Sequence, residues 1–173
     1  CNDKSKLLPR PISICGINPT EGTLRVVYRV AGEGTKEFSE MKAGDILEVM
    51  GPLGNGFTMK NEKAIIIGGG IGIPPMLELA KQLDAEKTVV LGYRTSTFLK
   101  EEFEEVCDVK IATEDGSQGA KGTVIDAIEK YGVEGKVIYA CGPMPMLKAL
   151  AAYAEEHGME AQISLEERMA CGI

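Results

Sequence analysis

Ala64-Ile65-Ile66-Ile67-Gly68-Gly69-Gly70-Ile71-Gly72-Ile73-Pro74-Pro75 is the stretch on which the architecture turns. The apolar start, rich in β-branched residues, reads as a buried strand. Glycines end it at once. Beyond the two prolines, Met76, Leu77, Leu79, Ala80 and Leu83 fall at helical spacing. Pro75 near a helix start loses no needed hydrogen bond. A strand, a Gly-rich turn and a helix start together let a backbone approach a pyrophosphate, with unpaired N–H groups and a positive dipole to meet it. Gly68, Gly69, Gly70, Gly72 and Pro75 are the candidate contacts. Ile73 takes the last position of a strict G-x-G-x-x-G, so the loop alone also fits a plain strand-to-helix turn.

Toward the C-terminus the strand–helix alternation continues. Strands are expected at Thr88–Leu91, Val109–Ala112, Val137–Ala140 and Ala161–Leu165, and helices at Phe98–Glu105, Thr123–Lys130 and Pro145–Glu156. Such alternation predicts a parallel sheet with helices on both faces, with ligands outside the carboxyl ends of its strands. A second Gly/Pro loop, Cys141-Gly142-Pro143-Met144, follows the strand at Val137 and meets the first loop at that edge. Cys141 then faces the ligand, although a small buried core residue is the commoner fate of a free cysteine. The strand at Val109 ends in Thr113-Glu114-Asp115-Gly116. Glu114 and Asp115 there would accept from an adenosine 2′-hydroxyl and repel a 2′-phosphate, which favours NAD; a solvated turn fits equally well. Arg94, after the preceding strand, pulls the other way.

Toward the N-terminus the pattern changes. Residues 1–60 show no helical period, and they read as all-β, with strands at Pro11–Cys15, Leu24–Val30 and Asp45–Val49. In Arg10-Pro11-Ile12-Ser13, the Arg and the Ser are the residues able to hold a phosphate and to donate to a ring edge. A surface Arg beside a turn is the plainer reading of that phrase alone. The division expected is 1–60, a partial antiparallel β-barrel; 61–165, an α/β nucleotide-binding domain; and 166–173, the start of a further segment. A barrel able to cover a cofactor needs roughly 90–100 residues. The chain therefore reads as cut short at both ends, opening on Cys1 and closing on Cys171-Gly172-Ile173.

The net charge of −7 excludes a basic nucleic-acid footprint. Neither a leader nor an apolar run of ~18 residues is present, so no membrane span is expected. Cys1, Cys15, Cys107, Cys141 and Cys171 are too scattered to complete a metal motif, and a reduced, cytoplasmic setting is the simplest reading. His157 and the runs Glu101-Glu102 and Glu104-Glu105 read as solvated helix surface.

Taken in order, Arg10-Pro11-Ile12-Ser13, Gly51-Pro52-Leu53-Gly54, the Gly68–Pro75 loop and Cys141-Gly142-Pro143-Met144 resemble the ferredoxin–NADP reductase superfamily along almost the whole chain. Val27-Tyr28-Arg29-Val30, Gly32-Glu33-Gly34-Thr35 and the ending Ser164–Ile173 are similar to the electron-transfer subunit of NAD-dependent, two-subunit dihydroorotate dehydrogenases. The resemblance implies a flavoprotein. FAD contacts fall at Arg10, Pro11, Ile12, Ser13, Val27, Tyr28, Arg29, Gly34 and Thr35, with NAD at the Gly-rich and Cys-Gly-Pro loops. Ser13 and Cys141 lie by the reacting rings, and Cys171 is the first ligand of a 2Fe–2S cluster whose other cysteines would follow Ile173. It further implies an FMN-containing catalytic partner in a heterotetramer, with electrons passing through cluster and FAD to NAD⁺ in pyrimidine biosynthesis. Ile12, where many superfamily members carry Tyr, offers no aromatic stacking and weakens a plant-type assignment. Cluster-bearing subunits of anaerobic sulfite reductase and of NADH-dependent ferredoxin–NADP oxidoreductase share these motifs, and a nucleotide-binding module without turnover is the remaining alternative.

Overall fold

The computed structural model describes residues 10–165. Its centre is a six-stranded parallel sheet in the order β6-β5-β4-β3-β7-β8. Those strands are β3 (Ala64–Gly69), β4 (Lys87–Tyr93), β5 (Asp108–Thr113), β6 (Ala120–Lys121), β7 (Val137–Cys141) and β8 (Glu160–Ser164). The chain builds outward from β3 through β4, β5 and β6, then returns to lay β7 on the other side of β3. That reversal puts the ends of β3 and β7 side by side, with Gly68 opposite Cys141.

Helices cover both faces. On one, α2 (Ile73–Gln82) and α3 (Lys100–Glu104) pack Met76, Leu77, Ala80 and Phe103 against Ile66, Val89, Leu91 and Tyr139. On the other, α4 (Val124–Tyr131) and α5 (Met144–Glu156) pack Ala127, Ile128, Leu147 and Leu150 against Ile65, Ile67, Val90 and Ile138. β3 is buried throughout, as expected of the central strand of a two-faced parallel sheet. Thr123 and Asp126 cap the start of α4 reciprocally, and Gly132 ends it in the left-handed region at φ 60°. Among the described residues no helix is long and apolar enough to cross a membrane.

The N-terminal part corrects two expectations. It is not all-β: β1 (Ile14–Asn18) and β2 (Thr23–Val26) form an antiparallel hairpin, and α1 spans Glu33–Glu40. The helix escaped the pattern because it is short, buries little, and holds Gly34, a poor helix former. Thr35 starts it: its hydroxyl accepts from the N–H groups of Ala31 and Gly32 at 2.9 and 3.1 Å and donates to the Gly32 carbonyl at 3.0 Å. The edge of Phe38 then meets Tyr28, with ring centroids 5.9 Å apart. Asp45–Val49 forms no strand. It alternates correctly, but no described segment pairs with it, and Ile46 and Val49 are 86% and 74% exposed. A turn precedes it, in which the Lys42 N–H donates to the Asp45 carboxylate at 2.7 Å.

The segment after that turn is fastened to the sheet. Tyr139, fully buried on β7, donates its hydroxyl to the Thr58 carbonyl at 3.2 Å and accepts from the Lys60 N–H at 2.9 Å. Gln162 on β8 accepts from the Thr58 N–H at 2.8 Å and donates to its carbonyl at 2.9 Å. Lys60 pairs with Glu160. The polar stretch from Lys60 to Lys63 thus enters β3 with its start held to β7 and β8.

Candidate functional site

Four loops leave the carboxyl edge of the sheet, after β3, β4, β5 and β7. The β3 loop is one 3₁₀ turn, Gly70–Gly72, leading directly into α2, so the helix starts earlier than its apolar period indicates. Gly70 sits at φ 53°, a conformation that suits glycine. Gly72 needs to be glycine for another reason. A Cβ there would lie 2.3 Å from the Cys141 carbonyl oxygen and 2.6 Å from the Gly142 nitrogen. The two predicted loops therefore touch backbone to backbone. A Cβ on Gly69 would meet Met146 Sδ at 2.6 Å and Pro143 Cδ at 3.0 Å, so the Cys-Gly-Pro loop also closes over the Gly-rich one from the α5 side. Pro75 lies in the first turn of α2, half-buried. Pro143 caps α5, and Met144, its first residue, is 45% exposed. Cys141 is half-buried at the end of β7.

The acidic turn is distinct from this cradle but shares its edge. The Glu114 N–H donates to the Tyr93 carbonyl at 3.2 Å, and Ser117 Oγ donates to the Thr95 carbonyl at 3.3 Å, so the loops carrying Arg94 and Glu114 are neighbours. The two carboxylates differ in role. Asp115 accepts from the Ser117 N–H and hydroxyl at 3.0 and 2.7 Å, and these bonds hold its pKa below the usual aspartate range. Asp115 is therefore committed to shaping its own turn. Glu114 is exposed beside it.

A second cluster forms in the N-terminal part. The Arg10 guanidinium lies over the first turn of α1: a Cβ on Gly34 would stand 2.7 Å from Arg10 Nε and 3.0 Å from Nη2. Two phrases far apart in sequence are thereby joined. A guanidinium beside unpaired N–H groups of a helix start is a site for a phosphate or carboxylate. The Tyr28 ring packs edge-on against Phe38 of that helix, while Val27 packs against the core cluster that α2 lines. Thr35 is spent on the cap described above. Pro11 and Ser13 are exposed and Ile12 is half-buried on the approach to β1.

Sequence reasoning missed the ties between hairpin and sheet. Glu78 on α2 accepts from the Ile17 N–H on β1 at 3.0 Å. Arg25 on β2 forks onto Glu102 of α3, at 2.5 and 3.0 Å. Only the partnerships, not the residue types, signal them, and Glu102 sits in a run that reads as solvated helix surface. Burial raises the thiol pKa of Cys15, and that of Cys107 to about 11, so neither is a ready nucleophile at neutral pH. Cys171 lies outside the described residues. Among the described residues no group of three His, Cys, Asp or Glu is placed to hold a metal ion.

A doubly wound parallel sheet with a glycine cradle at its switch point, preceded by an antiparallel hairpin, is a ferredoxin-reductase-like arrangement. Residues 66–152 match the oxidoreductase NAD-binding domain family. The chain is 46% identical over 175 residues to the dihydroorotate dehydrogenase B (NAD(+)) electron transfer subunit of Caldanaerobacter subterraneus subsp. tengcongensis, covering 100% of this chain and 70% of that protein. It is 43% identical to the subunit of the same description from Bacillus mycoides, covering 96% of this chain and 67% of that protein. The structure of an NADH-dependent reduced ferredoxin–NADP oxidoreductase superposes with a TM-score of 0.84 at 35% identity, over 94% of this chain and 62% of the other. The C-terminal domain of a Pyrococcus furiosus hydrogenase, at 19% identity and a TM-score of 0.52, shares the fold alone. The chain belongs to the family of dihydroorotate dehydrogenase B electron transfer subunits.

Proposed function

We propose that the chain is the flavin- and NAD-handling part of a subunit that takes electrons from an FMN-containing, dihydroorotate-oxidising partner and delivers them to NAD⁺. One observation carries this reading: each of two helix starts is closed by a distant phrase, Arg10 over α1 and the Cys141–Gly142 backbone against α2. Two anion cradles in one chain fit two dinucleotides. Arg10, Ser13, Tyr28, Arg29 and the α1 start would hold FAD. Gly70, Gly72 and the Cys-Gly-Pro loop would hold NAD. When both are bound, the rings themselves supply hydride transfer, and no general acid or base is asked of the protein.

The residues' own work is to bind and orient. Arg10 offers a two-pronged donor that the first-turn N–H groups of α1 extend. Gly72 brings no side chain between the loops and so lets the Cys141–Gly142 backbone close against the α2 start. Glu114 accepts from the ribose, on a turn that Asp115 and Ser117 hold in shape. Cys171 would begin a 2Fe–2S segment completed by cysteines beyond Ile173, and the full complex would be a heterotetramer. The likeness to the ferredoxin–NADP oxidoreductase supports a second reading, in which the electron donor is a different flavoprotein.

Titration of the full-length apo-subunit with FAD tests the reading. Wild type should bind stoichiometrically, and Arg10→Ala should lose roughly 1.5–3 kcal/mol of affinity, as befits a charge-assisted contact. Equal affinity in the variant would remove Arg10 from the site. Reduction of the bound flavin by a dihydroorotate-reduced partner separates the two electron donors.

A further inference from the structure

The hairpin that continues the Arg10–Ser13 phrase is moored to two different helices of the nucleotide domain. On β1, the Ile17 N–H donates to Glu78 Oε2 at 3.0 Å, while Gln82 Nε2 donates to Glu78 Oε1 at 2.6 Å. Both oxygens of one carboxylate are thus occupied, and its direction is set. On β2, Arg25 grips Glu102 of α3 through both guanidinium nitrogens. Arg25 stands opposite Gly16 and Ile17 opposite Leu24, so the two ties leave the hairpin at adjacent rungs of its ladder. Between Ile14 and Gly16 the register shifts, and Cys15 is the extra residue, fully buried in the core cluster that α2 lines. One apolar anchor and two directed polar ties fix a two-stranded ribbon in all three directions.

The helix that Glu78 belongs to is the one whose first turn forms the nucleotide cradle. A rigid helix rising about 1.5 Å per residue therefore joins the hairpin that follows the Arg10–Ser13 phrase to that cradle. The Arg25–Glu102 pair is too exposed, with side chains 50% and 35% accessible, to contribute much stability. Its two-point geometry gives orientation instead.

We propose that Glu78 and the Arg25–Glu102 pair are positioning residues that set the approach of the nicotinamide to the flavin, α2 acting as the strut between the two cradles. This rests on the proposed function above. None of the three touches either cofactor's cradle; they act through β1 and α2. Misplacement by about 1 Å can cost on the order of a hundredfold in rate, so loosening a tie should slow hydride transfer before it unfolds anything.

The test uses the full-length subunit in its complex, with Glu78→Ala, Arg25→Ala and Glu102→Ala and the exchanged pair Arg25→Glu/Glu102→Arg. Five readouts are needed: FAD content, NADH affinity, the rate of flavin reduction at saturating NADH, the nicotinamide–flavin charge-transfer band, and amide exchange at Ile17. The expected result is unchanged FAD content and NADH affinity, at least tenfold slower reduction and a weaker nicotinamide–flavin charge-transfer band in each Ala variant. Ile17 should exchange faster in Glu78→Ala, and the exchanged pair should recover most of the rate. Full-rate reduction in the Ala variants, or slow reduction that tracks lost FAD and is not recovered by exchange, overturns the inference. A wild-type subunit that takes up no FAD overturns the underlying reading instead, and the inference with it.

Discussion

Gly34 and Arg10 show how one missing side chain lets a distant residue reach a helix start. Gly34 is buried, yet what an added Cβ would meet is the flexible end of Arg10 rather than backbone. Gly34→Ala should therefore do two opposite things. Alanine favours the helix by roughly 0.8–1 kcal/mol. The same methyl displaces the guanidinium from the α1 start and should weaken FAD binding about tenfold or more, given what a charge-assisted contact is worth. A melting temperature that holds or rises while FAD affinity falls is the expected pairing; a fall in both would place Gly34 in packing alone. Gly72 is the contrasting case, since its obstacle is the Cys141 carbonyl, which has no flexible end to yield. At this scale the sequence was legible in kind but not in partnership. Gly68–Pro75 and Cys141–Met144 were readable as loops because glycine and proline punctuate locally. The pairing of Arg10 with Gly34 was not readable, because nothing in either phrase encodes which distant phrase it meets. Nor could residue type show that Asp115 is bound to Ser117 while Glu114 stands beside it.

Among the elements, β7 carries more than its place in the sheet. Tyr139 sends its hydroxyl out of the core to the backbone at Thr58 and Lys60. Tyr139→Phe keeps the ring and its edge contact with Phe57 but strips the partner from the half-buried Lys60 N–H, while the Thr58 carbonyl keeps its Gln162 donor. It should cost about 1–3 kcal/mol in chemical denaturation with the sheet otherwise intact. A cost indistinguishable from zero would mean that water replaces the hydroxyl there. The strands and helices after residue 60 were legible because burial on both sheet faces writes long apolar runs and clear helical periods. β6 was not, at only two residues. Before residue 60 the signal inverts. The short α1 is held by one threonine cap and one aromatic contact, neither of which leaves a period. Asp45–Val49 has the period of a strand and, among the described residues, nothing to pair with. Periodicity reports what a segment is suited to bury; pairing is decided elsewhere in the chain.

Across the whole molecule, the reversal in strand order at β3 places the glycine cradle, the Cys-Gly-Pro loop and the acidic turn on one edge, while the hairpin stands against α2. This arrangement predicts that the nucleotide is chosen at the acidic turn and that electrons leave to NAD. A 2′-phosphate would bring up to two negative charges toward Glu114, and even after solvent screening the repulsion should favour NAD by about tenfold. Glu114→Gln should narrow that gap more than Asp115→Asn, because Asp115 is engaged by Ser117. The most direct measurement is the rate at which NADH and NADPH, at equal concentrations across a salt series, reduce the flavin of the full-length subunit. The account predicts rapid reduction by NADH, slower reduction by NADPH, and a difference that shrinks with salt and with Glu114→Gln. Preference for NADPH, or a preference for NADH indifferent to Glu114→Gln, would contradict it.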